Sequence, residues 1–188
     1  MSLAQEIKIS LSGIRPLMMD RYPGDNSTSL PVMEKLYLDE NKHLVMPAIN
    51  IYSLLYAENS KSVCRQFFGK NGKTIGLGIS SYTYIQPAEI PILDENGGWL
   101  IFDQFGKPGV DRFWTDSRVA RLKNGIPNPK SRPVINLPWF MSFVIYYSEN
   151  KYCTLENLRQ AFAMGGTLGL GTFRPVFGRY ELTAFELS

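Results

Sequence analysis

The sequence predicts one compact α+β domain, and three observations carry that expectation. Strand-like alternation marks both ends of the chain, helical spacing marks two internal segments, and 188 residues with 44% apolar and 13% aromatic content suffice for a proper core. In order, "EIKISLSG" places Ile7, Ile9 and Leu11 on one face, as a half-buried strand does. A polar, proline-containing loop follows. "KLYLDENKHLVMP" predicts two short strands around an Asp-Glu-Asn turn, and after Pro47 "AINIYSLLYAENSKSVCRQFF" spaces its apolar groups for one or two helices. "KTIGLGISSYTYIQP" reads as a return to strand, and "PILDENGGWLIF" as a hairpin closed by Asn96, Gly97 and Gly98. "LPWFMSFVIYYS" is the clearest strand, apolar on both faces and so expected at the centre of a sheet. "CTLENLRQAFAMGG" is a helix with Thr154 as N-cap and Leu155, Leu158 and Phe162 at helical spacing, expected to stop at Gly165 and Gly166. "FGRYELTAFEL" closes the domain as a strand with Tyr180, Leu182 and Ala184 facing one way.

Composition excludes several classes. Charged residues make up only 20% of the chain, which is not the signature of a disordered protein. No apolar run approaches the roughly 18 residues of a bilayer span, and the N-terminus lacks the sections of a signal peptide. A soluble protein of the bacterial or phage-infected cytoplasm is the expectation, with Met1, Ser2 and Leu3 read as a cloning leader. Cys64 and Cys153 form no metal or disulfide pattern, so buried free thiols and no cofactor are expected. The single histidine, His43, reads as an incidental strand residue unless a partner approaches it in space.

Charge is uneven. Between 107 and 132, Lys107, Arg112, Arg118, Arg121, Lys123, Lys130 and Arg132 face only Asp111 and Asp116, so this segment carries +5 of a net +3 and leaves the rest at −2. Phe113 and Trp114 are interleaved with it. Basic groups attract phosphates and aromatic faces stack on unpaired bases, so the segment is either a single-strand binding surface or an ordinary solvated loop.

The run "GGTLGLGTFRPVFGRYE" poses the sharper question. A dinucleotide site needs its glycine turn between a strand and a helix, whereas this run follows a helix. Its spacing also fails, since Arg174 stands where a third glycine would, and "GLGISS" ends in Ser81. A nucleic-acid reading remains, in which glycines admit a ribose-phosphate chain and Arg174 and Arg179 pair with phosphates. A helix cap followed by a tight turn explains the same composition.

The stretch from Gly169 to Tyr180, "GLGTFRPVFGRY", resembles the C-terminal signature of uncharacterised phage and prophage proteins. These are similar to the CRISPR-associated backbone subunits of the RAMP superfamily, which carry a glycine-rich loop before their final strand. "IKISLSGIRPLMM" and "LYLDENKHLVMPAINIYSLL" resemble the group's first strand and its hairpin-to-helix entry; residues 70–135 match less specifically. The resemblance implies a ferredoxin-like, RNA-recognition-type antiparallel sheet with helices on one face and long β insertions, over a single domain at 4–188. It also implies a loop facing the strand at Gly169, Gly171, Arg174, Gly178 and Arg179. We expect a β-rich basic insertion at 88–135 to add Arg112, Trp114, Arg118, Arg121 and Lys123.

The function implied is non-catalytic, sequence-independent binding of single-stranded nucleic acid, RNA before DNA, with assembly of copies along the strand. Two alternatives stand beside it: a ribonuclease of the same superfamily, and a phage structural or protein-interaction module. Some relatives cleave RNA with a histidine or a loop aspartate, and here only His43, Asp20 and Asp25 offer themselves, none at a matching motif. The aromatic consensus of RNA-recognition sheets does not occur.

Overall fold

The structure, a computed structural model, describes residues 4–25, 28–56, 61–121 and 127–188, with Ala120 and Arg121 described by their backbone alone. In chain order the elements are β1 (Gln5–Gly13), β2 (Leu17–Met18), β3 (Val45–Pro47), α1 (Ala48–Tyr56), α2 (Val63–Phe67) and α3 (Gly72–Tyr82). They continue as β4 (Thr83–Gln86), β5 (Glu89–Leu93), β6 (Phe113–Arg121), β7 (Pro127–Ile135), β8 (Phe140–Tyr147), α4 (Leu155–Leu168) and β9 (Tyr180–Leu187).

The main sheet is antiparallel, in the order β3-β5-β8-β1-β9, with β4 also on β8. β4 pairs with one end of β8 (Thr83 opposite Tyr147) and β5 with the other (Leu93 opposite Phe140), so together they fill one strand position. The order β9-β1-β8-β4/β5 is that of a ferredoxin-like βαββαβ unit. β8 is central as expected, but only one of its faces is fully buried: Met141, Phe143, Ile145 and Tyr147 point into the core, while Phe140, Ser142, Val144 and Tyr146 are half-buried. Ile7, Ile9 and Leu11 of β1 join the core side, where Ile51, Leu54, Leu55, Ile79, Leu158 and Phe162 of the helices pack on them. This apolar burial, on the order of 2 kcal/mol for each large side chain, holds the helices to one face.

Four local readings change. Residues 72–82 form a helix and not a strand, because glycines set into its packed side override the β propensity of its neighbours. A Cβ on Gly72 would lie 2.0 Å from the Cys64 carbonyl oxygen, so α3 lies against α2 more closely than any side chain would allow. At the other end of the chain, α4 runs through Gly165 and Gly166 to Leu168, since both glycines lie inside the helix against Tyr180, and the chain turns instead at Gly169. In β9 the pairing shifts between Ser10 and Leu11, so Leu182 and Ala184 sit opposite consecutive residues of β1. Phe185, opposite buried Ile9, therefore packs on the core in the place expected for Ala184. The segment around Asp39 gives a single Leu38–Leu44 bridge before β3, because the Asp39 carboxylate accepts from the backbone N–H of Asn41 and His43 and holds a tight turn.

The Thr154 cap forms as expected: its Oγ1 accepts from the Asn157 N–H at 3.1 Å. Thr154→Ala is expected to lower stability by about 1 kcal/mol in a urea melt. Cys64 and Cys153 are free and buried, and burial pushes their thiols up to about 12 and about 11. No helix among the described residues is long and apolar enough to cross a membrane.

The second sheet, β2-β7-β6, is built on a long hairpin whose strands pair from Phe113–Ile135 to Arg121–Pro127. Within residues 88–135, β5 belongs to the main sheet, and the hairpin begins at Phe113.

Candidate nucleic-acid interface

The glycine-rich loop folds back on itself between α4 and β9. Leu170 N–H donates to the Gly178 carbonyl, Gly178 N–H to the Pro16 carbonyl and Thr172 N–H to the Met18 carbonyl, at 2.8, 2.8 and 2.9 Å. Two positions require glycine outright. Gly171 has φ +72° and a Cβ there would lie 2.2 Å from the Met18 oxygen; Gly178 has φ +73° and a Cβ would lie 2.0 Å from the Leu170 oxygen. These glycines thus serve the loop's own backbone contacts, and buried Leu170 plugs it into the main core.

The hairpin lies on this loop. Cross-strand pairing of Trp114 with Val134, Asp116 with Arg132 and Arg118 with Lys130 puts all six on one hairpin face. That face meets Phe173 and Phe177. The guanidinium carbons of Arg118 and Arg132 stand 4.9 and 5.0 Å from the Phe173 ring centre, and Arg118 is 5.2 Å from that of Phe177. Met18, Val134 and Phe177 form a small second core, with Trp114 and Phe173 packed on it.

The two cations over Phe173 also have carboxylate partners within the protein. Arg118 makes a two-pronged pair with Asp116. Arg132 Nε donates to Asp20 Oδ2 at 2.7 Å, and Lys35 Nζ donates to the Ser131 carbonyl at 2.7 Å and stands 3.7 Å from Asp20 Oδ1. Phe173→Ala would remove one ring from under two guanidiniums. It is expected to speed amide exchange throughout β6 and β7 while leaving β1 and β8 protected, at a cost of about 2 kcal/mol.

Arg174 and Arg179 are different. Both are half-buried, and neither has a charged or hydrogen-bonded side-chain partner among the described residues. Burial lowers the Arg174 pKa, with no carboxylate to raise it back. Three buried side-chain nitrogens among the described residues lack a hydrogen-bond partner: Trp114 Nε1, Arg132 Nη1 and Arg179 Nε. All three are donors, and all belong to the hairpin or to the loop it covers.

Of the residues singled out in the sequence, the structure brings together Gly169, Gly171, Arg174, Gly178 and Arg179 of the loop with Arg118 and Trp114 of the hairpin. Trp114 packs inward on Phe177, at 6.5 Å between ring centres, and is not an exposed stacking platform. Arg112 stands at the hairpin base, bound to Glu95 and the Pro138 carbonyl. Arg121 is on β6 with its side chain undescribed, and Lys123 lies outside the described residues. Phe173, Phe177 and Lys35 organise the junction without having been picked out as site residues, while Asp20 was named only as a cleavage candidate and Arg132 only within the basic segment; the Phe-Arg-Pro-Val-Phe spacing was the available signal for the two phenylalanines.

The other chemical candidates are engaged locally. His43 Nδ1 lies 2.8 Å from Asp39 Oδ2 and its ring meets the Trp99 ring edge-on at 4.8 Å. Asp25 accepts from the N–H and hydroxyl of Thr28. Among the described residues, no group of three or more His, Cys, Asp and Glu is placed to hold a metal. Two hollows border the junction: a cleft of about 480 Å³ that Asp20, Arg21, Pro23, residues 28–32 and Lys35 form against β7, and a smaller one of about 220 Å³ reaching Gly171 and Thr172. Asp20 lines both.

No protein-family model matches the chain, and no curated protein sequence does either. Among solved structures, the fold is similar to a chain in the cryo-EM structure of the Type III-B Cmr-beta complex bound to cognate target RNA. The superposition has a TM-score of 0.59 at 15% identity and covers 98% of this chain. It spans 61% of the other chain, so the protein corresponds to about three fifths of that subunit, and the likeness is one of fold.

Proposed function

We propose that this protein binds single-stranded nucleic acid, RNA in preference to DNA, along its phosphate backbone and without cutting it. One observation carries the proposal: the glycine-rich loop holds two half-buried arginines, Arg174 and Arg179, that folding leaves without an acceptor. An unpaired cation held partly out of water is costly to the protein alone, and a phosphate oxygen supplies what it lacks. The hairpin fixes the loop through Phe173, so the arginines are presented by a rigid element. The likeness to a complex resolved with target RNA supports the same reading. So does the resemblance of "GLGTFRPVFGRY" to phage proteins and RAMP backbone subunits, which also motivates head-to-tail assembly of copies along one strand.

The absence of cleavage is part of the proposal. In its support, Asp20 accepts from Arg132 and stands beside Lys35, so its carboxylate is held as an ion-pair acceptor and is not free to act as a general base. The test is fluorescence anisotropy of a labelled strand of about 30 nucleotides, as RNA, DNA and duplex, at two salt concentrations. Tight, salt-sensitive binding of intact single strands is expected, and a gel of the same samples would reveal shortened products if the protein were a nuclease. No binding at low salt would overturn the proposal and turn attention to protein partners.

A further inference from the structure

We infer that the cleft that Arg21, Lys35 and residues 28–32 form against β7 is a phosphate subsite, built around Lys35, Arg21 and Lys130, with Arg132 behind it on Asp20. It deepens the proposed function, because Asp20 joins this cleft to the hollow beside Gly171 and Thr172, so a strand leaving the loop would reach it.

The charge arrangement points to an anion. Lys35 and Arg132 are only 8% and 6% exposed, yet they share a single carboxylate, Asp20. Two buried cations on one anion leave a positive charge uncompensated, which a protein interior tolerates poorly. Arg132 Nη1 is buried with no acceptor, although the same guanidinium's Nε is satisfied by Asp20. Lys35 lines the cleft; its ammonium has three protons, of which the Ser131 carbonyl takes one at 2.7 Å, while Asp20 stands at 3.7 Å. Arg21 and Lys130 line the same cleft, exposed and without partners among the described residues. Asp25, between Arg21 and Thr28 in the chain, is occupied by its own turn with Thr28. Three cations, Arg21, Lys35 and Lys130, therefore line the cleft with one carboxylate, Asp20, which Arg132 also shares from outside the lining. The fork of a guanidinium beside the point charge of an ammonium suits a tetrahedral phosphate, and Thr28, Ser29 and Ser131 give the lining a polar character. Asp20 holds Lys35 in place and leaves its remaining donor for the ligand.

The phosphate could belong to a strand or to a small free ligand, and the test separates them. The full chain and the Arg21→Ala, Lys130→Ala double variant are titrated calorimetrically with pyrophosphate and, separately, with the single strand. Both substituted residues are exposed, so the fold is retained; Lys70→Ala, in the turn between α2 and α3, serves as control. The expected result is about a tenfold weaker affinity for both probes in the double variant, with a shallower salt dependence for the strand. If wild-type protein binds pyrophosphate with this dependence but binds no strand, the subsite stands for a free phosphate ligand and the strand-binding reading falls. If the strand binds but neither its affinity nor that of pyrophosphate responds to the double variant, the subsite is overturned and the loop alone is the interface. Binding of neither probe overturns both.

Discussion

The Arg174→Ala, Arg179→Ala double variant is expected to bind single strands about a hundredfold more weakly at low salt, with the same loss for every sequence. A hydrogen bond to a charged group contributes about 1.5 kcal/mol or more, and each 1.4 kcal/mol is tenfold in affinity, so two such contacts give that factor. The loss is uniform because phosphates carry no sequence information. The salt dependence should change with it: removing two phosphate contacts lowers the slope of log affinity against log salt by about 1.4 for a single strand. Folding offers no competing explanation. Neither arginine has a side-chain partner among the described residues, and burial already disfavours the Arg174 charge, so losing both cations leaves no orphaned acid behind. Unchanged affinity in the folded double variant would remove the loop from the interface.

What the sequence could disclose depended on how local each signal was. β1, β8 and α4 were legible because a single periodicity runs through each of them for two turns or more, and the Thr154 cap states where α4 begins. Residues 72–82 were not, since alternating glycines and β-branched residues look like a strand until α2 is laid against them. The reach of the last helix was misjudged for a related reason. Glycine is the usual stop, but Gly165 and Gly166 are glycine because Tyr180 leaves no room for a side chain. The outward face of β9 was obscured by an irregularity in pairing that no pattern within the strand announces. At the site, the loop itself could be read, being continuous in sequence. The hairpin's inward role could not: Arg132 finds its carboxylate 112 positions away at Asp20, and Trp114 finds Phe177 across the fold. A basic, aromatic segment that looks like an open binding surface is in part a clamp on the glycine-rich loop.

Gly178→Ala should be the most damaging single change to the loop, and comparison with Gly97→Ala separates its two causes. Both glycines have positive φ, +73° and +79°, so alanine at either pays the left-handed penalty of about 1–2 kcal/mol. At Gly97 nothing lies within 4 Å of the added Cβ. At Gly178 the Cβ would sit 2.0 Å from the oxygen, 2.8 Å from the carbonyl carbon and 2.9 Å from the nitrogen of Leu170, all backbone atoms that no rotamer change can move aside. Relief requires parting the hydrogen bond from Leu170 to Gly178, and with it lifting Leu170 out of the core and Phe177 away from Val134. The expected loss is about 4 kcal/mol, the left-handed penalty plus that of overpacking, against about 1–2 kcal/mol for Gly97→Ala in parallel urea melts. Equal losses would mean that the loop yields to the methyl group. It would then be too compliant to hold Arg174 and Arg179 in a fixed geometry, and binding would have to draw its strength from the cleft beside β7 instead.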